Sequence, residues 1–430
     1  MYQTQRKEEV MEKTFAKPTG IYFLSLILML TLFVGIPFGA MAADTVKIGV
    51  LEAFSGVFEN LGRTRLAGIQ FAVDQQNAKG GLLGKEVEII REDGEFKPDV
   101  GIRKAQKLML ENKIDFLTSG MGSHTVIALN KLVTASKVLF INHTALSDDI
   151  QGKEFSPYGF RVCQNVHNMN TALLLLIARM PYRRFYLIDP DYAPGYSGQK
   201  LIKEMLKTYV PDSTVVGADF YPLGVTRDFG PYITKIIAAK ADAVINNGFS
   251  VDLINFVKQA RSMGLKRPFP IFSALSKHPY IINDLKDDAQ GVYWVHEYSM
   301  RVKTPENEEM IRMFHEKHKD DKDFLTWWPT SDCAMALLGW KMTFSAIEKA
   351  GSLNIEKIIT AFENFQWKSP VGLWTMRKCD HQVILPMFGG VIEGGPNPFY
   401  KFPWAGPNVM ELPTDKVAKP ATSDYNPRCQ

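Results

Sequence analysis

The 430-residue sequence contains only four cysteines: Cys163, Cys333, Cys379 and Cys429. It has no C-x-x-C pair and no His/Cys cluster at zinc-site spacing, so neither a disulfide-built scaffold nor a structural metal site is expected. Cys163 and Cys333 stand in apolar surroundings and are predicted to be small buried residues. Cys379 and Cys429 both lie in the irregular C-terminal region, where a disulfide would tie down the tail. The sequence leaves open whether these two cysteines pair.

Sequence motifs of enzyme chemistry are also missing. There is no G-x-S-x-G nucleophile motif, no Walker loop and no Rossmann glycine fingerprint after the first predicted strand. The eight histidines do not combine with Ser and Asp in any nucleophile pattern. We therefore expect no catalytic residue, no metal and no cofactor. The formal net charge of +4 is not concentrated in a basic stripe, which argues against a nucleic-acid partner.

The N-terminus has the pattern of a cleaved signal peptide. Four basic residues precede an uncharged apolar run over residues 21–38, which ends in the small-residue motif AMA at 40–42. The run is nearly long enough to cross a bilayer, so an uncleaved membrane anchor is the alternative. Gly and Pro residues break the run just before the small residues and favour cleavage. We therefore predict a signal peptide over residues 1–42 and export to the periplasm.

From residue 46 onward, apolar runs and helical periodicities alternate, which is typical of βαβ units around a parallel sheet. One such run extends over residues 46–141 and a second over residues 168–272. Later helices are predicted at 305–317, 331–350 and 355–365, and the tail from residue 396 is predicted to be an irregular strap. The chain after residue 42 is longer than one hydrophobic core usually holds. The predicted fold class is α/β, with two doubly wound parallel-sheet lobes.

Four short loops follow predicted strands and carry Gly, Ser or aromatic residues. In doubly wound sheets, ligands bind beyond the carboxyl ends of the strands. The sequence therefore predicts a binding cleft that is formed by the loops at residues 52–62, 120–125, 142–147 and 189–198.

An ordered set of short segments covers nearly all of the chain after residue 42. The segments are KIGV at 47–50, FSG at 54–56, DQQNAKGGLLG at 74–84, RDF at 227–229, ADAV at 241–244, FVKQARSMGL at 256–265, AIEKAGS at 346–352 and DHQV at 380–383. With these segments in this order, the chain resembles the type I periplasmic solute-binding proteins of the branched-chain amino acid (Leu/Ile/Val) transport family.

The resemblance implies the type I periplasmic-binding-protein fold, in which a hinge joins the two lobes. Lobe 1 would comprise residues 43–163 plus 299–376. Lobe 2 would comprise residues 164–298 plus 377–430, including the C-terminal strap. The hinge crossings are then expected near Cys163, Tyr298 and Met376. The partners implied are a small-molecule solute and an inner-membrane ABC permease; the oligomeric state stays open, with a monomer favoured.

The resemblance also implies a set of ligand-binding positions. In the family, a hydroxyl residue four places after the glycine that ends the fourth strand holds the ligand carboxylate. Here this place falls on His124, between Ser123 and Thr125, for which N-capping of the following helix is the alternative role. An aromatic residue of the second-lobe loop corresponds to Tyr192, displaced by two positions. The full set carried over is Phe54, Phe58, Ser123, His124, Thr125, Thr144, Tyr192 and Phe249.

One departure from the family pattern bears on the solute. Amino-acid binders of the family place an acidic residue after the strand near residue 270, where it pairs with the ligand ammonium. Here residues 272–278 read FSALSKH and contain no carboxylate. Because an unpaired ammonium is costly to bury, an unmodified α-amino acid is disfavoured. The residue set suits a small carboxylate with an apolar or aromatic body.

The function expected from the sequence is that of an extracytoplasmic solute-binding receptor of an ABC importer. It would capture a small amino-acid-like or carboxylate solute between the lobes by hinge closure. A periplasmic ligand sensor of the same fold, which feeds a regulator rather than a permease, is the alternative. Nothing in the sequence separates these two roles.

Overall fold

The computed structural model describes residues 45–266 and 269–430, so the predicted signal peptide lies outside the described residues. Its elements follow the alternation that the sequence predicts. The first helices are α1 (Glu59–Asn77), α2 (Pro98–Leu110) and α3 (Ser123–Ser136). Pro98 occupies the first turn of α2, where the missing N–H group of proline has no cost.

Five parallel strands form the first sheet. They are β1 (Val46–Glu52), β2 (Val87–Asp93), β3 (Phe116–Ser119), β4 (Leu139–Asn142) and β5 (Gly159–Arg161), in the spatial order β2-β1-β3-β4-β5. β1 is buried almost throughout, because α-helices cover a parallel sheet on both faces. β2 lies at the edge of the sheet, and most of its residues are partly or fully exposed.

The second sheet joins the middle of the chain to its C-terminal part. Its strands are β6 (Arg184–Pro190), β7 (Thr214–Tyr221), β8 (Ala243–Ile245), β9 (Ile271–Phe272), β10 (Val292–His296), β14 (Met387–Glu393), β15 (Trp404–Ala405) and β16 (Met410–Leu412). β6 to β10 pair in parallel, whereas β14 adds to β10 in antiparallel orientation. The prediction of an irregular tail is wrong at β15 and β16, because both satisfy backbone groups of β14.

Helices of the second α/β run accompany this sheet. They are α4 (Val166–Ile177), α5 (Ala193–Tyr209), α6 (Gly230–Ala238), α7 (Ser250–Ser262) and α8 (Pro279–Leu285). The later helices are α9 (Pro305–His318), α10 (Ser331–Ala350) and α11 (Ile355–Phe362), close to their predicted ranges. A small third sheet contains β11 (Gln366–Ser369), β12 (Gly372–Met376) and β13 (Val383–Ile384).

Helix α10 packs closely on α1. A Cβ atom at Gly68 of α1 would lie 2.1 Å from the carbonyl oxygen of Cys333 in α10, so only glycine permits this approach. Cys333 is fully buried, as is Cys163, in agreement with their prediction as small buried residues. The contact brings the N-terminal end of α10 beside the first turns of α1, where the candidate site described below is formed.

The C-terminal tail is fastened to the loop that follows β4. Cys379 and Cys429 form a disulfide. The Tyr425 hydroxyl donates a hydrogen bond to the carbonyl oxygen of Asp148, and Nδ2 of Asn426 donates to that of Gln151. A last short helix, α12 (Thr414–Val417), precedes these contacts.

The described residues of the chain, Thr45–Gln430, belong to one compact unit. The lobe boundaries and the hinge positions near Cys163, Tyr298 and Met376 stay predictions. Within residues 45–266 and 269–430, no helix combines the length and the hydropathy needed to span a membrane.

Candidate functional site

A cavity lies where loops of both large sheets meet, in a space of about 640 Å³ that is partly open to solvent. The loops that follow β2, β3, β4, β6, β8 and β9 contribute to its wall, together with the first turns of α1 and α10. The lining residues are Leu61, Arg65, Phe96, Gly120, Gly122, Ser123, Thr144, Ala145, Leu146, Gln164, Tyr192, Pro194, Phe249, Leu275, His278, His296, Glu297 and Asp332.

The N-terminus of helix α3 forms one wall of the cavity. Gly122, which precedes the helix, has a φ of +80°, and a Cβ atom there would lie 2.9 Å from the Phe96 ring. Oγ of Ser123 accepts a hydrogen bond of 3.0 Å from the backbone N–H of Ser147, which fixes the loop after β4 against the helix. The first N–H groups of a helix lack intrahelical acceptors, so this end of α3 can stabilise an anion.

A row of aromatic rings forms the apolar wall. The ring centroids of Phe58 and Phe96 are 4.2 Å apart, and those of Phe58 and Phe249 are 5.8 Å apart. Tyr192 follows at 6.0 Å from Phe249. Phe58 and Phe96 come from loops of the first sheet, whereas Tyr192 and Phe249 come from loops of the second. The row therefore joins both sides of the cavity and offers an apolar surface to the body of a ligand.

A buried charged triad, defined as Glu52, Arg65 and Asp332, lies beside the aromatic row. Nε and Nη2 of Arg65 donate to Oδ2 of Asp332 at 2.9 and 2.6 Å. Nη1 of Arg65 donates to Oε2 of Glu52 at 3.0 Å and to the carbonyl oxygen of Gly120 at 3.1 Å. Burial alone would raise the pKa of Asp332, but the charge of Arg65 and the neighbouring histidines lower it to about 2. Burial also opposes ionisation of Glu52, yet Arg65 and His143 lower its pKa.

Glu297, Gln164, His278 and His296 form another part of the wall. Glu297 follows β10 directly and is only 2% exposed. Oε1 of Glu297 accepts a long hydrogen bond of 3.4 Å from the backbone N–H of Gln164, and Oε2 has no hydrogen-bond partner. Burial raises the pKa of Glu297 to about 8. Burial likewise lowers the pKa values of His278 and His296, so both imidazoles are neutral at pH 7.

Lys277 lies next to this group but does not line the cavity. Its Nζ donates to the carbonyl oxygen of Tyr298 at 2.5 Å and lies 3.9 Å from the centroid of the Trp294 ring. Burial lowers the pKa of Lys277 to about 7, against the opposing influence of Glu297. The lysine thus has partners of its own within the protein.

The structure brings half of the predicted ligand-binding residues to the cavity. Ser123, Thr144, Tyr192 and Phe249 line it, and Phe58 stands behind Phe96 and Phe249.

The other three predicted residues do not line the cavity. The side chain of His124 is exposed and meets the edge of the Phe96 ring at a centroid distance of 5.4 Å. Thr125 is buried, with its methyl group close to Gly101 of α2. Phe54 lies under the side chain of Arg91, and the central carbon of the guanidinium group is 5.8 Å from the centroid of the Phe54 ring.

Sequence reasoning missed the charged residues of the cavity. The 272–278 segment contains no carboxylate, as its sequence reads, but Glu297 and Asp332 reach the cavity from other elements. The sequence pattern of α1 could have indicated that Arg65 is buried. This residue stands four residues after Leu61 and four before Ile69, so a charged residue interrupts the buried stripe of α1. Glu297 and Asp332 carried no comparable signal.

Comparisons with known proteins agree with this architecture. Residues 45–396 match a family model described as "Periplasmic binding protein". A relative from Brucella melitensis, "Leu/Ile/Val-binding protein homolog 4", is 25% identical over 359 residues, which cover 80% of this chain and 83% of the relative.

Solved structures of low sequence identity share the fold. The closed form of a leucine-, isoleucine-, valine-, threonine- and alanine-binding protein from Brucella ovis has a TM-score of 0.78 at 21% identity, and the match covers 90% of this chain and 99% of that one. A solute-binding protein of an ABC transporter from Rhodopseudomonas palustris, in complex with 3,4-dihydroxybenzoic acid, has a TM-score of 0.74 at 22% identity. That match covers 84% of this chain and 97% of the other.

Proposed function

This chain belongs to the periplasmic binding protein family, among the Leu/Ile/Val-binding proteins, and we propose that it is the solute receptor of an ABC importer. In this proposal, the protein captures a small carboxylate with an apolar or aromatic body and delivers it to a permease in the inner membrane. The predicted signal peptide at residues 1–42 would direct export, and its cleavage would release the protein into the periplasm. The family consists of substrate-binding proteins rather than enzymes.

The observation that carries the proposal is the pairing of an anion site with an apolar wall in one cavity. The N-terminus of α3 at Ser123 offers N–H groups to a carboxylate. The Thr144 hydroxyl group lies on the same wall and donates to the carbonyl oxygen of Gly120 at 3.3 Å. Phe96, Phe249 and Tyr192 supply the surface against which the body of the ligand would pack. Arg65 is unsuited to bind the carboxylate directly, because its guanidinium group already donates four hydrogen bonds within the protein.

The ligands of structural neighbours are consistent with this chemistry. The Brucella ovis protein binds leucine, isoleucine, valine, threonine and alanine, and the Rhodopseudomonas palustris protein holds 3,4-dihydroxybenzoic acid. Both ligand classes combine a carboxylate with a small body, which is the combination that the cavity of this chain suits.

We further propose that the solute favours a closed arrangement of the two sides. Oγ of Ser250 in α7 lies 3.4 Å from the carbonyl oxygen of Val57, and Phe58 approaches Phe249 across the same boundary. These contacts join the two sides next to the cavity. A solute that touches both sides would shift an open–closed equilibrium by its differential affinity for the closed state. Small-angle scattering with saturating solute is expected to show a smaller radius of gyration.

The test of the proposed function is a thermal-shift screen of the processed protein. The panel contains aromatic carboxylates, short aliphatic carboxylates and amino acids, each paired with its carboxamide as a matched control. A solute at about 100 times its Kd stabilises the folded state by about 2.7 kcal/mol, which raises the melting temperature. The carboxamides are expected to give no shift, because they lack the charge that α3 stabilises. If no carboxylate raises the melting temperature, the proposal is wrong.

The link to a permease needs a second measurement. Deletion of the gene is expected to abolish uptake of the radiolabelled solute that wins the screen, and the intact gene in trans is expected to restore it. Unchanged uptake in the deletion strain would contradict the transport role while leaving the binding activity intact.

A further inference from the structure

The terminal segment, defined as residues 418–430, starts on the second side of the cavity, the side that belongs to the second sheet. It follows β16 and α12, and α12 packs against α4. Helix α4 packs in turn against β10 and β14 of the second sheet. The backbone N–H of Lys419 donates a hydrogen bond of 2.7 Å to Oδ1 of the buried Asn168 in the first turn of α4. The start of the terminal segment is therefore attached to the second side.

The end of the terminal segment is attached to the first side. Cys429 forms its disulfide with Cys379, in the stretch that connects β12 with β13. This stretch is bonded to the first sheet at two places. The backbone of β5 pairs with it, and Nε2 of Gln151, in the loop after β4, donates a hydrogen bond of 2.6 Å to the carbonyl oxygen of Asp380. The terminal segment thus crosses from one side to the other, and a covalent bond holds its end.

The middle of the terminal segment lies on the loop that follows β4. The Tyr425 hydroxyl and Nδ2 of Asn426 donate hydrogen bonds to carbonyl oxygens of this loop at 3.1 and 2.8 Å. A Cβ atom at Gly152 would lie 2.8 Å from the Tyr425 ring, so the ring rests directly on the loop backbone. The same loop supplies part of the cavity wall. The contacts of the terminal segment therefore reach the first side close to the cavity.

Asp148 lies where the terminal segment, the loop after β4 and α4 meet. Its Oδ1 accepts a hydrogen bond of 3.3 Å from the backbone N–H of His167 in α4, and its Oδ2 pairs with Nζ of Lys419 at 3.2 Å. The side chains of Lys419 and Asp148 are only 20% and 21% exposed, so water screens the pair incompletely. Nζ of Lys419 also lies 4.8 Å from the centroid of the Tyr425 ring. One ion pair therefore connects all three elements.

We propose that the terminal segment is a tether that limits how far the two sides of the cavity separate. Its start moves with α4 and its end is bonded to the first side. A wide opening would therefore break the contacts of Lys419 with Asn168 and Asp148. The disulfide keeps the end of the segment from detaching from the first side when these contacts are strained. This inference rests on the open–closed equilibrium of the proposed function.

The tether should raise the apparent affinity for the solute without contacting it. When a solute binds the closed arrangement, its apparent Kd equals the intrinsic Kd divided by the closed fraction. Loss of the tether lowers this fraction. Because the contacts at Lys419 are one hydrogen bond and one partly exposed ion pair, we expect the apparent Kd to rise by about fivefold. The order of preference among solutes should not change, because the cavity wall keeps its residues.

Pulsed electron paramagnetic resonance can measure the separation of the two sides without any solute. Spin labels are attached through thioether bonds to Leu110→Cys at the end of α2 and to Ile237→Cys in α6, since both positions are exposed on opposite sides. Cys163 and Cys333 are buried and so protected from the label.

Two variants remove different parts of the tether. The double variant Cys379→Ser, Cys429→Ser removes the covalent bond, whereas Lys419→Ala removes the ion pair and keeps the disulfide. The matched control is Lys416→Ala, at an exposed lysine of α12. Calorimetric titration of each protein with L-leucine and with benzoate, as probes of the cavity, measures the affinity.

Without solute, the double serine variant and Lys419→Ala are expected to give broader distance distributions than the wild type, with an added population of wider separation. Lys416→Ala should match the wild type. For a probe that binds, Kd should rise by about fivefold in both variants and stay unchanged in the control.

Identical distance distributions in the wild type and in both variants would overturn the inference, whether or not a carboxylate binds. If the double serine variant does not fold, Lys419→Ala decides alone. Failure of every carboxylate in the thermal-shift screen would contradict the proposed receptor function, while the distances measured without solute would still decide for or against the tether.

Discussion

Replacement of Arg65 by methionine is expected to destabilise the protein strongly, because it leaves two buried carboxylates without a cation. Arg65 makes two hydrogen bonds to Asp332, one to Glu52 and one to the Gly120 carbonyl group. Glu52 is fully buried and Asp332 is 8% exposed, so water cannot replace the guanidinium. Removal of one partner of a buried ion pair costs about 3–5 kcal/mol. Asp332 would lose the arginine that pairs with it, and Glu52 would keep only His143 and the backbone N–H of Gly120, so the upper end is expected.

The loss should depend on pH with a defined sign. Asp332 has a pKa of about 2 in the folded protein, below its ordinary value, so its ionised form contributes stability above about pH 4. That contribution disappears as the pH falls from about 4 towards 2. The difference in unfolding free energy between wild type and Arg65→Met is therefore largest at neutral pH and shrinks on acidification.

Urea unfolding, followed by tryptophan fluorescence at pH 7 and pH 3, measures both effects. Arg312→Met is the control, because Arg312 is exposed on α9 and pairs with the exposed Glu309. It is expected to leave the unfolding free energy unchanged within error. Addition of Asp332→Asn to Arg65→Met should recover part of the loss by removing one unpaired charge. A loss at pH 7 no larger than that of Arg312→Met, or a loss that grows at pH 3, would refute the reasoning.

Two further predictions concern the tail and the aromatic row. Replacement of both Cys379 and Cys429 by serine should lower the unfolding free energy by about 4 kcal/mol, because the disulfide closes a loop with a sequence separation of 50 residues. Urea unfolding with and without reductant measures this loss. Equal stability of the variant and the oxidised wild type would contradict the prediction. Phe249→Ala should weaken binding of the best solute by about 2 kcal/mol in calorimetric titration, whereas Phe54→Ala should leave the affinity unchanged because Phe54 packs under Arg91, away from the cavity. Similar losses in both variants would contradict the placement of the aromatic wall.

Much of the fold could be predicted, because short stretches of the sequence contain the patterns that indicate strands and helices. The apolar run of β1 and the charged alternation of β2 predict a buried strand and an edge strand, and both are found. Pro98 marks the start of α2, and the glycines at 80 and 81, both with positive φ, follow the end of α1. The pairing of β15 and β16 with β14 was missed, because two- and three-residue strands carry no periodicity of their own.

The sequence predicted that the loops at the strand ends form the binding region. It identified only some of the side chains that line the cavity. Ser123 and Thr144 line the cavity, whereas His124, between Ser123 and Thr125, turns to the protein surface. Residues that follow one another at a helix N-terminus point about 100° apart, so a displacement of one position moves a side chain out of the site. Position in a loop therefore predicts proximity to the cavity and does not predict direction.

The amino-acid sequence alone determined the α/β class, the order of the elements and the neighbourhood of the cavity, because strand and helix periodicities are local properties. Only the tertiary structure decided the electrostatics of the cavity. Arg65 and Asp332 are 267 positions apart, yet their atoms lie 2.6 Å from each other. Burial left Oε2 of Glu297 without a hydrogen-bond partner. Desolvation and ion pairing depend on distances in space. The separation of two residues along the sequence does not predict these distances, which are set only when the sheets assemble.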